Sequence, residues 1–546
     1  MNVVETVARI LKTEGVELVT CFPTNPLIEA LAEEGIRTVM FRQERGALMA
    51  ADGYSRVNDR KKFGVAVSQG GPGSENSMGG LAQAFADNIP MLYLPGGPPL
   101  GQRSVRPSFS PARTYRTVSK QAEVIYQAGQ VGAVMRRAFH ALRNGRGGPV
   151  IVEIPADIGS EEAPDSALNY QPPKRMLQSP FSSEVAEAVK LLLNAKKPLI
   201  WSGAGVLFAS ATEELRELAE LTQIPVFTTM PGKSSFDERH PLSLGAGSRA
   251  TTLAARTWIK ESDVLFAVGS SMTRTNYGQP IPDGKVIIHN VESIEDINKD
   301  FYADVGLPGD AKLTLRAMID EVKAQTGSTG RKDQNGVVAE IAKIRKQWMD
   351  EWAPLLDTDE VPIGTYRVLS ELDRALDKEN SIVTHDAGAP RDSMVPFYTA
   401  ATPHSYIGWG KTTHLGFGIP LMIGAKLAAP DKFCLNLMGD AAFGMSGLDI
   451  ETSVRAGAPI TTIVLDNGGM ATYPGGFPTA SELFGVTRMG GDYAKIAEGM
   501  GAVGITVTQP SEVGPALARA QQLNREGKTM LLDIHTNMES RRPTYG

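Results

Sequence analysis

Short apolar runs rich in β-branched and aromatic residues alternate with helical periodicity from one end of the chain to the other. The runs are RTVMF, FGVAVS, MLYLPG, PVIVEIP, KPLIWSG, IPVFTT, DVLFAVGS, KVIIHNV, SIVTHD, KFCLNLMGD, ITTIVLDN and TMLLDIH. Between them apolar positions recur every third or fourth residue, as in EVAEAVKLLLNA and ELRELAELT, the spacing of a helix with one buried face. Strands that alternate with helices predict βαβ units and parallel sheets. Two polar stretches interrupt the rhythm and read as linkers: GSEEAPDSALNYQPPKRMLQSP (159–180) and AQTGSTGRKDQNG (324–336). The pattern predicts an α/β protein with three doubly wound parallel-sheet domains, at 1–165, 183–325 and 355–546. It shows no short-period repeat and no long low-complexity segment.

Two of these runs end on chemistry. NLMGDAAFGMS stops on Asp440 with small residues beyond it, and TTIVLDNGGM stops on Asp466, Asn467 and two glycines. Ligands of an open parallel sheet bind outside the carboxyl ends of its strands. A right-handed crossover through SGLDIETSVRAG sets the two strand ends side by side, so Asp440 and Asn467 can converge. Asp440 offers a carboxylate oxygen, Asn467 an amide oxygen and Gly469 its peptide carbonyl. Such an all-oxygen, low-charge partial shell suits Mg²⁺, which shares its octahedron with phosphates and water. Ala441, Ala442 and Gly444 let backbone N–H groups approach closely, as a phosphate cradle requires. The site therefore reads as Mg²⁺ clamping a diphosphate. From spacing alone a simpler alternative stands beside it: Asp440 as a helix cap and Asn467-Gly468 as a turn.

Composition bounds the rest. At 546 residues the chain exceeds one core, and 42% hydrophobic with 21% charged residues is ordinary for a globular protein. A formal charge of −6 argues against a nucleic-acid partner and against a polybasic membrane surface. The start, MNVVETVARILKTEG, reads as an amphipathic helix rather than a secretory signal, and no window is apolar enough to span a bilayer. Cys21 and Cys434 both sit in apolar strand-like runs, which argues for buried thiols and a cytoplasmic location rather than a disulfide framework.

The N-terminal third adds FRQERGALMAADGYSR (41–56), with Glu44 just past a strand, and VSQGGPGSENSMGGLAQAFADNIPMLYLPG (67–96). Taken in order, RQERGA…AADGYSR, GGPGSEN, GGPVIVEIPADI and GDA-x25-DN resemble the thiamine diphosphate enzymes of the acetolactate synthase and pyruvate oxidase type. The resemblance covers essentially the whole chain. It implies a pyrimidine-binding domain, a middle domain and a diphosphate-binding domain. By that resemblance Glu44 is the catalytic carboxylate that hydrogen-bonds N1′ of the aminopyrimidine and favours the imino tautomer, the only base near the reacting carbon. Gly73 and Asn76 flank the pyrimidine. GWGKTTHLGFGIP (408–420) supplies Leu415 as the wedge under the bent cofactor and the Thr413 carbonyl for its 4′-amino hydrogen. Asp440, Asn467 and the Gly469 carbonyl carry over as metal ligands. Gly439, Ala441, Ala442 and Met470 carry over around the diphosphate, with Asp386, Ala387 and Gly388 lining the far phosphate. Alanine at 441, where the family has glycine, permits backbone approach provided φ is negative. The family builds its site from two subunits, so a homodimer is the minimum and a homotetramer common.

The sequence departs from acetolactate synthases in places. Where they carry Phe-Gln-Glu, this chain has Phe109, Ser110 and Pro111. Their Gln-Trp pair is absent, and NGGMATYPGGFPTASELFG, with Tyr473, looks more like the oxalyl-CoA decarboxylase and 2-hydroxyacyl-CoA lyase branch. Phe109, Tyr473 and Glu482 are substrate-pocket candidates, Glu482 equally an exposed loop carboxylate. His385 and His414 are proton-shuttle candidates or structural histidines. Arg103, Arg106, Arg113, Arg116 and Lys120, with Arg541 and Arg542 of the tail, fit coenzyme A phosphates or a solvated face. In acyl-CoA members a C-terminal segment covers the site; here it is short or absent. KPLIWSGAGV (197–206) and LGAGSRATT (244–252) form a glycine-lined edge in the middle domain that could take FAD, the ADP part of coenzyme A, or neither. The expectation is a thiamine diphosphate- and Mg²⁺-dependent carbon–carbon lyase or decarboxylase, best matched to a 2-hydroxyacyl-CoA lyase. The alternative is a decarboxylase or carboligase of free 2-oxo acids, acetolactate synthase-like. A scaffold paralogue without cofactor is the remaining class, and the presence of Glu44, Asp440 and Asn467 argues against it.

Overall fold

In the computed structural model, residues 1–327, 329–331, 336–470 and 476–545 are described. The first sheet holds β1 (Leu18–Cys21), β2 (Arg37–Met40), β3 (Gly64–Ser68), β4 (Met91–Gly97), β5 (Gln121–Val124) and β6 (Pro149–Pro155), in the order β2-β1-β3-β4-β6-β5. The second holds β7 (Leu199–Ser202), β8 (Val226–Thr229), β9 (Ser243–Gly247), β10 (Val264–Val268), β11 (Val286–Val291) and β12 (Val305–Pro308), ordered β12-β11-β10-β7-β8-β9. The third holds β13 (Ser381–His385), β14 (Tyr406–Ile407), β15 (Phe433–Gly439), β16 (Thr461–Asp466), β17 (Val503–Val507) and β18 (Met530–His535), ordered β14-β13-β15-β16-β18-β17. Every pairing among these strands is parallel. This is the three-sheet α/β architecture that the alternating pattern predicts. Counted within each sheet, the first and third share the order 2-1-3-4-6-5, and the middle one has the dinucleotide-fold order 3-2-1-4-5-6.

All the quoted apolar runs form strands. Interior strands such as β3, β6, β10 and β13 are buried along their whole length, which is why they read as continuous apolar runs. The quoted runs omit the interior strand β1, marked only as the strand-like setting of Cys21, and β5, β9, β12, β14 and β17, which are edge strands. Residues 244–252, expected as a loop, begin inside β9. No described helix is long and apolar enough to cross a membrane.

The chain forms two compact units. One comprises Met1–Met176, Lys411–Asp431 and Ser446–Ile460; the other comprises Leu177–Gly410, Lys432–Met445 and Thr461–Gly546. The first unit is built around Val7, Leu11, Val65, Leu92, Phe139 and Val150. Within it the helix Glu44–Val57 packs on the helix Gly418–Ala428 at backbone distance. A Cβ on Gly53 would lie 2.1 Å from the Leu421 carbonyl oxygen, and one on Gly424 would lie 1.9 Å from that of Ala50. Neither carbonyl can yield without moving a helix, so both positions require glycine.

Gly424→Ala should therefore lower unfolding stability by about 1–3 kcal/mol through overpacking. Gly129→Ala, where an added Cβ meets nothing within 4 Å, should stay within about 0.5 kcal/mol of wild type. Urea denaturation followed by circular dichroism measures both; equal midpoints for the two variants would contradict the packing argument.

Candidate functional site

The edge of the third sheet gathers the residues that end β15 and β16. These strands are neighbours, with Gly439 paired to Leu465. Asp440 opens the helix Asp440–Ser446 and is 2% exposed. Its Oδ1 accepts the Ala441 N–H at 2.7 Å, and its Oδ2 accepts the Gly469 N–H at 3.1 Å. The Asn467 Oδ1 accepts the same Gly469 N–H at 3.2 Å. Asp440 and Asn467 thus converge on one peptide, through the Gly469 N–H rather than the carbonyl that the sequence reading named. Burial, with Asp466 nearby, pushes the Asp440 carboxyl up to about 6, against the pull of the backbone N–H groups. Such a carboxylate is set to gain from a cation.

The turn itself is held by pairing. Met470 N–H donates to the Thr487 carbonyl at 3.0 Å, and Met489 N–H to that of Gly468 at 3.0 Å. Gly468 takes a left-handed φ of 68°, and a Cβ on Gly469 would strike the Thr487 oxygen at 2.7 Å. Around the helix start, a Cβ on Gly439 meets nothing within 4 Å, leaving open room. Ala441 sits in right-handed helical backbone, so its methyl carries no strain there. The all-oxygen donor set and the open face fit Mg²⁺ with a diphosphate. In the same unit Asp386 is fully buried at the end of β13, its Oδ1 accepting the Ala387 N–H at 2.8 Å. Gly388 follows with φ 83° and precedes the helix Ala389–Phe397. His385 is stacked on Trp409 at 5.4 Å between ring centroids, and its carbonyl accepts the Trp409 indole N–H, the setting of a structural histidine.

The second cluster lies in the first unit. Glu44 begins the helix Glu44–Val57 directly after β2 and is 7% exposed. Its Oε2 accepts from Asn76 Nδ2 at 2.9 Å. A Cβ on Gly73 would stand 3.1 Å from its Oε1, so the glycine keeps that oxygen uncovered for a ligand donor. Gly73 is fixed in turn because Ser77 Oγ donates to its carbonyl, and Ser68 and Ser77 each hydrogen-bond the buried Tyr93 hydroxyl. Residues 411–414 lie against the same helices. The Thr412 hydroxyl donates to Gln83 Oε1 at 2.7 Å, and His414 Nε2 lies 3.4 Å from Arg45 Nη1. Burial and the Arg45 charge lower the His414 pKa, keeping the ring neutral. Thr413, a β-branched residue, is held at φ 51°, backbone strain of the kind that accumulates at binding sites. Leu415 is half-buried.

The substrate candidates fare unevenly. Phe109 is half-buried, edge-on to Tyr115 at 6.0 Å. Ser110 donates to the buried Glu153 at 2.9 Å, so this position turns inward. Glu482 is exposed on the short helix Pro478–Phe484, and Tyr473 lies outside the described residues. Several cations suggested for coenzyme A already have partners. Arg103 pairs with Glu153 at 3.3 Å, Lys120 caps the carbonyls of Ala141 and Asn144, and Arg541 pairs with Glu351 and lies over Trp352. Arg106, Arg113 and Arg116 are exposed. In the middle sheet, Cβ atoms on Gly203 and Gly205 would meet Gly269 at 2.4 and 2.7 Å, so packing against the next loop accounts for this Gly-x-Gly.

One residue went unnoticed in the sequence. Asp449 is 1% exposed and accepts the Arg42 N–H at 2.9 Å and the Thr452 hydroxyl at 2.9 Å, beside Arg45 at the root of the Glu44 helix. A Cβ on Gly46 would strike its Oδ2 at 2.5 Å. No local pattern in SGLDIETS marks it, because the contact that ties it to the Glu44 helix, the Arg42 N–H, is 407 residues away.

Three family models match the chain in order: thiamine pyrophosphate enzyme, N-terminal TPP binding domain, over 1–124; its central domain over 185–318; and its C-terminal TPP binding domain over 386–534. A probable acetolactate synthase large subunit of Methanococcus aeolicus is 30% identical, over 95% of this chain and 90% of its own length. One of Methanocaldococcus jannaschii is 30% identical, over 98% and 92%. The acetolactate synthase isozyme 3 large subunit of Escherichia coli is 26% identical, over 97% and 94%.

Asp449 gives a pH signature. Burial raises its carboxyl from the ordinary 3.8 to about 6. The folded state therefore binds the extra proton between those values, and stability falls as pH rises from about 4 to 6. At about 1.4 kcal/mol per pH unit the effect is roughly 3 kcal/mol. Asp449→Asn removes it, so the variant should gain on wild type by up to that amount between pH 4 and pH 7. Denaturation at both pH values measures the difference; a gap independent of pH would refute it.

Proposed function

The chain belongs to the thiamine pyrophosphate enzymes, and from that premise we propose an enzyme that uses thiamine diphosphate and Mg²⁺ to break or form the carbon–carbon bond beside the carbonyl of a free 2-oxo acid. Thiamine diphosphate, when bound, supplies a ring carbon that adds to the carbonyl and accepts the electron pair of the breaking bond. Glu44 holds the proton at the aminopyrimidine N1′, its carboxylate oriented by Asn76, while its low exposure limits competition from water. Thr413 would offer its carbonyl to the exocyclic amine, and Leu415 would pack beneath the cofactor. Asp440, Asn467 and the Gly469 carbonyl would hold Mg²⁺; Gly439, Ala441, Ala442, Met470, Asp386 and Gly388 would line the diphosphate. The observation that carries the reading is the buried Glu44 carboxylate, with one oxygen on Asn76 and the other kept open by Gly73.

Free 2-oxo acids are favoured as the substrate class by the acetolactate synthase names of the relatives and by the prior engagement of Arg103, Lys120 and Arg541. Ser110 and Pro111 stand where synthases carry Gln and Glu, so we propose the class and not acetolactate as the product. The same departure supports a second reading, a 2-hydroxyacyl-CoA lyase. Phe109, Tyr473 and Glu482 are the candidates to face the acyl group under either reading. We do not extend the proposal to FAD or to the ADP part of coenzyme A in the middle sheet, since Gly203 and Gly205 are accounted for by packing. A homodimer or homotetramer follows from the family reading, and the burial of both thiols supports a cytoplasmic location.

Chelation should abolish turnover of 2-oxo acids, and Mg²⁺ with thiamine diphosphate should restore it. Glu44→Gln should cut kcat by about 10²–10⁴-fold with an unchanged melting curve; wild-type rates would remove Glu44 from its role. Against a panel of acyl-CoA thioesters and 2-oxo acids, CO₂ release from the acids without coenzyme A binding is expected. Aldehyde release from a 2-hydroxyacyl-CoA would instead establish the second reading.

A further inference from the structure

β16 and β18 pair so that Val464 faces Asp533 and Asp466 faces His535. Neighbouring residues of a parallel pair send their side chains to the same face, so Asp466, Asp533 and His535 converge at one corner of the third sheet. One ligand atom from each lies within 4.8 Å of the other two. Asp533 is 1% exposed. Its Oδ2 is anchored by the Tyr493 and Ala494 N–H groups at 3.1 and 3.4 Å, while its Oδ1 is buried without a hydrogen-bond partner. Asp466 has the same division: Oδ1 accepts the Gly468 N–H at 3.2 Å, and Oδ2 faces His535 Nε2 at 3.9 Å, beyond hydrogen-bond range. Each carboxylate thus has one oxygen fixed by the backbone and one that no backbone group satisfies, and each contributes an atom to the cluster. Leaving a buried carboxylate oxygen unpaired is costly, and a bound cation removes that cost.

We propose that Asp466, Asp533 and His535 form a second divalent-cation site, distinct from the Asp440–Asn467–Gly469 shell. The imidazole sets its preference. Two carboxylates and one imidazole suit a first-row transition ion such as Zn²⁺, Mn²⁺ or Co²⁺ better than Mg²⁺, which takes oxygen ligands. The two carboxylates balance its charge. Such an ion ties the ends of β16 and β18 together immediately before Asn467, and so orders the turn that carries Asn467 and Gly469. The site lies wholly within one compact unit and requires no thiamine diphosphate.

The test uses the full chain, stripped of metal, held in excess Mg²⁺ without thiamine diphosphate, and titrated with Co²⁺ under visible absorption. One equivalent of Co²⁺ should bind with a ligand-field spectrum. His535→Ala and Asp533→Asn should each weaken binding by about tenfold or more. Asp533→Asn keeps a side-chain oxygen for the Tyr493 and Ala494 N–H groups, so it separates loss of a ligand from loss of the fold, which far-ultraviolet circular dichroism checks. No Co²⁺ binding, or equal affinity in wild type and both variants, overturns the site. Thiamine diphosphate binding is measured in parallel. A chain that binds Co²⁺ here but no thiamine diphosphate would sink the proposed function and leave this site standing.

Discussion

A carboxylate buried at the end of a buried strand constrains everything around it. Asp440 is 2% exposed, and its observed partners are two backbone N–H groups. Taking a carboxylate out of water costs several kcal/mol unless donors or a cation compensate. The surrounding chain is shaped to supply them. β16 must lie beside β15 so that the turn after it brings the Gly469 N–H to Oδ2. That turn must contain glycine, because the strand-like segment at 487–489 presses against it. The backbone donors leave the carboxylate's charge only partly compensated, and the proposed Mg²⁺ would complete it.

The shared strand order of the first and third sheets organises the remaining candidates. In each sheet the order 2-1-3-4-6-5 reverses direction between its first and third strands, where loops part and leave a crevice. The candidate residues follow the second and third strands in both. After the second strand come Glu44 in one sheet and Thr413 with Leu415 in the other. After the third come Gly73 with Asn76, and Asp440 with Ala441. One topology therefore carries two different candidate clusters. One presents a carboxylate hydrogen-bonded by an amide, the other an oxygen shell with open backbone, and the residue types alone make the difference.

Rigidity supports the Glu44 cluster. The Glu44 helix meets the helix Gly418–Ala428 with glycines against carbonyls, and Asp449 fixes its root through the Arg42 N–H. Helices in such close contact cannot slide without clashes, so the Glu44 carboxylate keeps its direction. The strained backbone of Thr413 is sustained by the contacts on either side of it, Thr412 to Gln83 and His414 to Arg45.

The sequence alone settled the alternation of strands and helices, the parallel class of the sheets, and the two strand ends at Asp440 and Asn467. Burial on both faces and a crossover of known hand leave a local trace in residue order. Edge strands left a weaker one: β17 is half-exposed along most of its length, and β14 is two residues long, so neither holds an apolar run. Tertiary structure alone decided that Ser110 turns inward to Glu153, that Gly203 and Gly205 pack on Gly269, and that Asp449 reaches the Glu44 helix. It alone also brought Asp533 and His535 to Asp466. These contacts join residues far apart in the chain, and no periodicity encodes which distant side chain will share a buried carboxylate's surroundings.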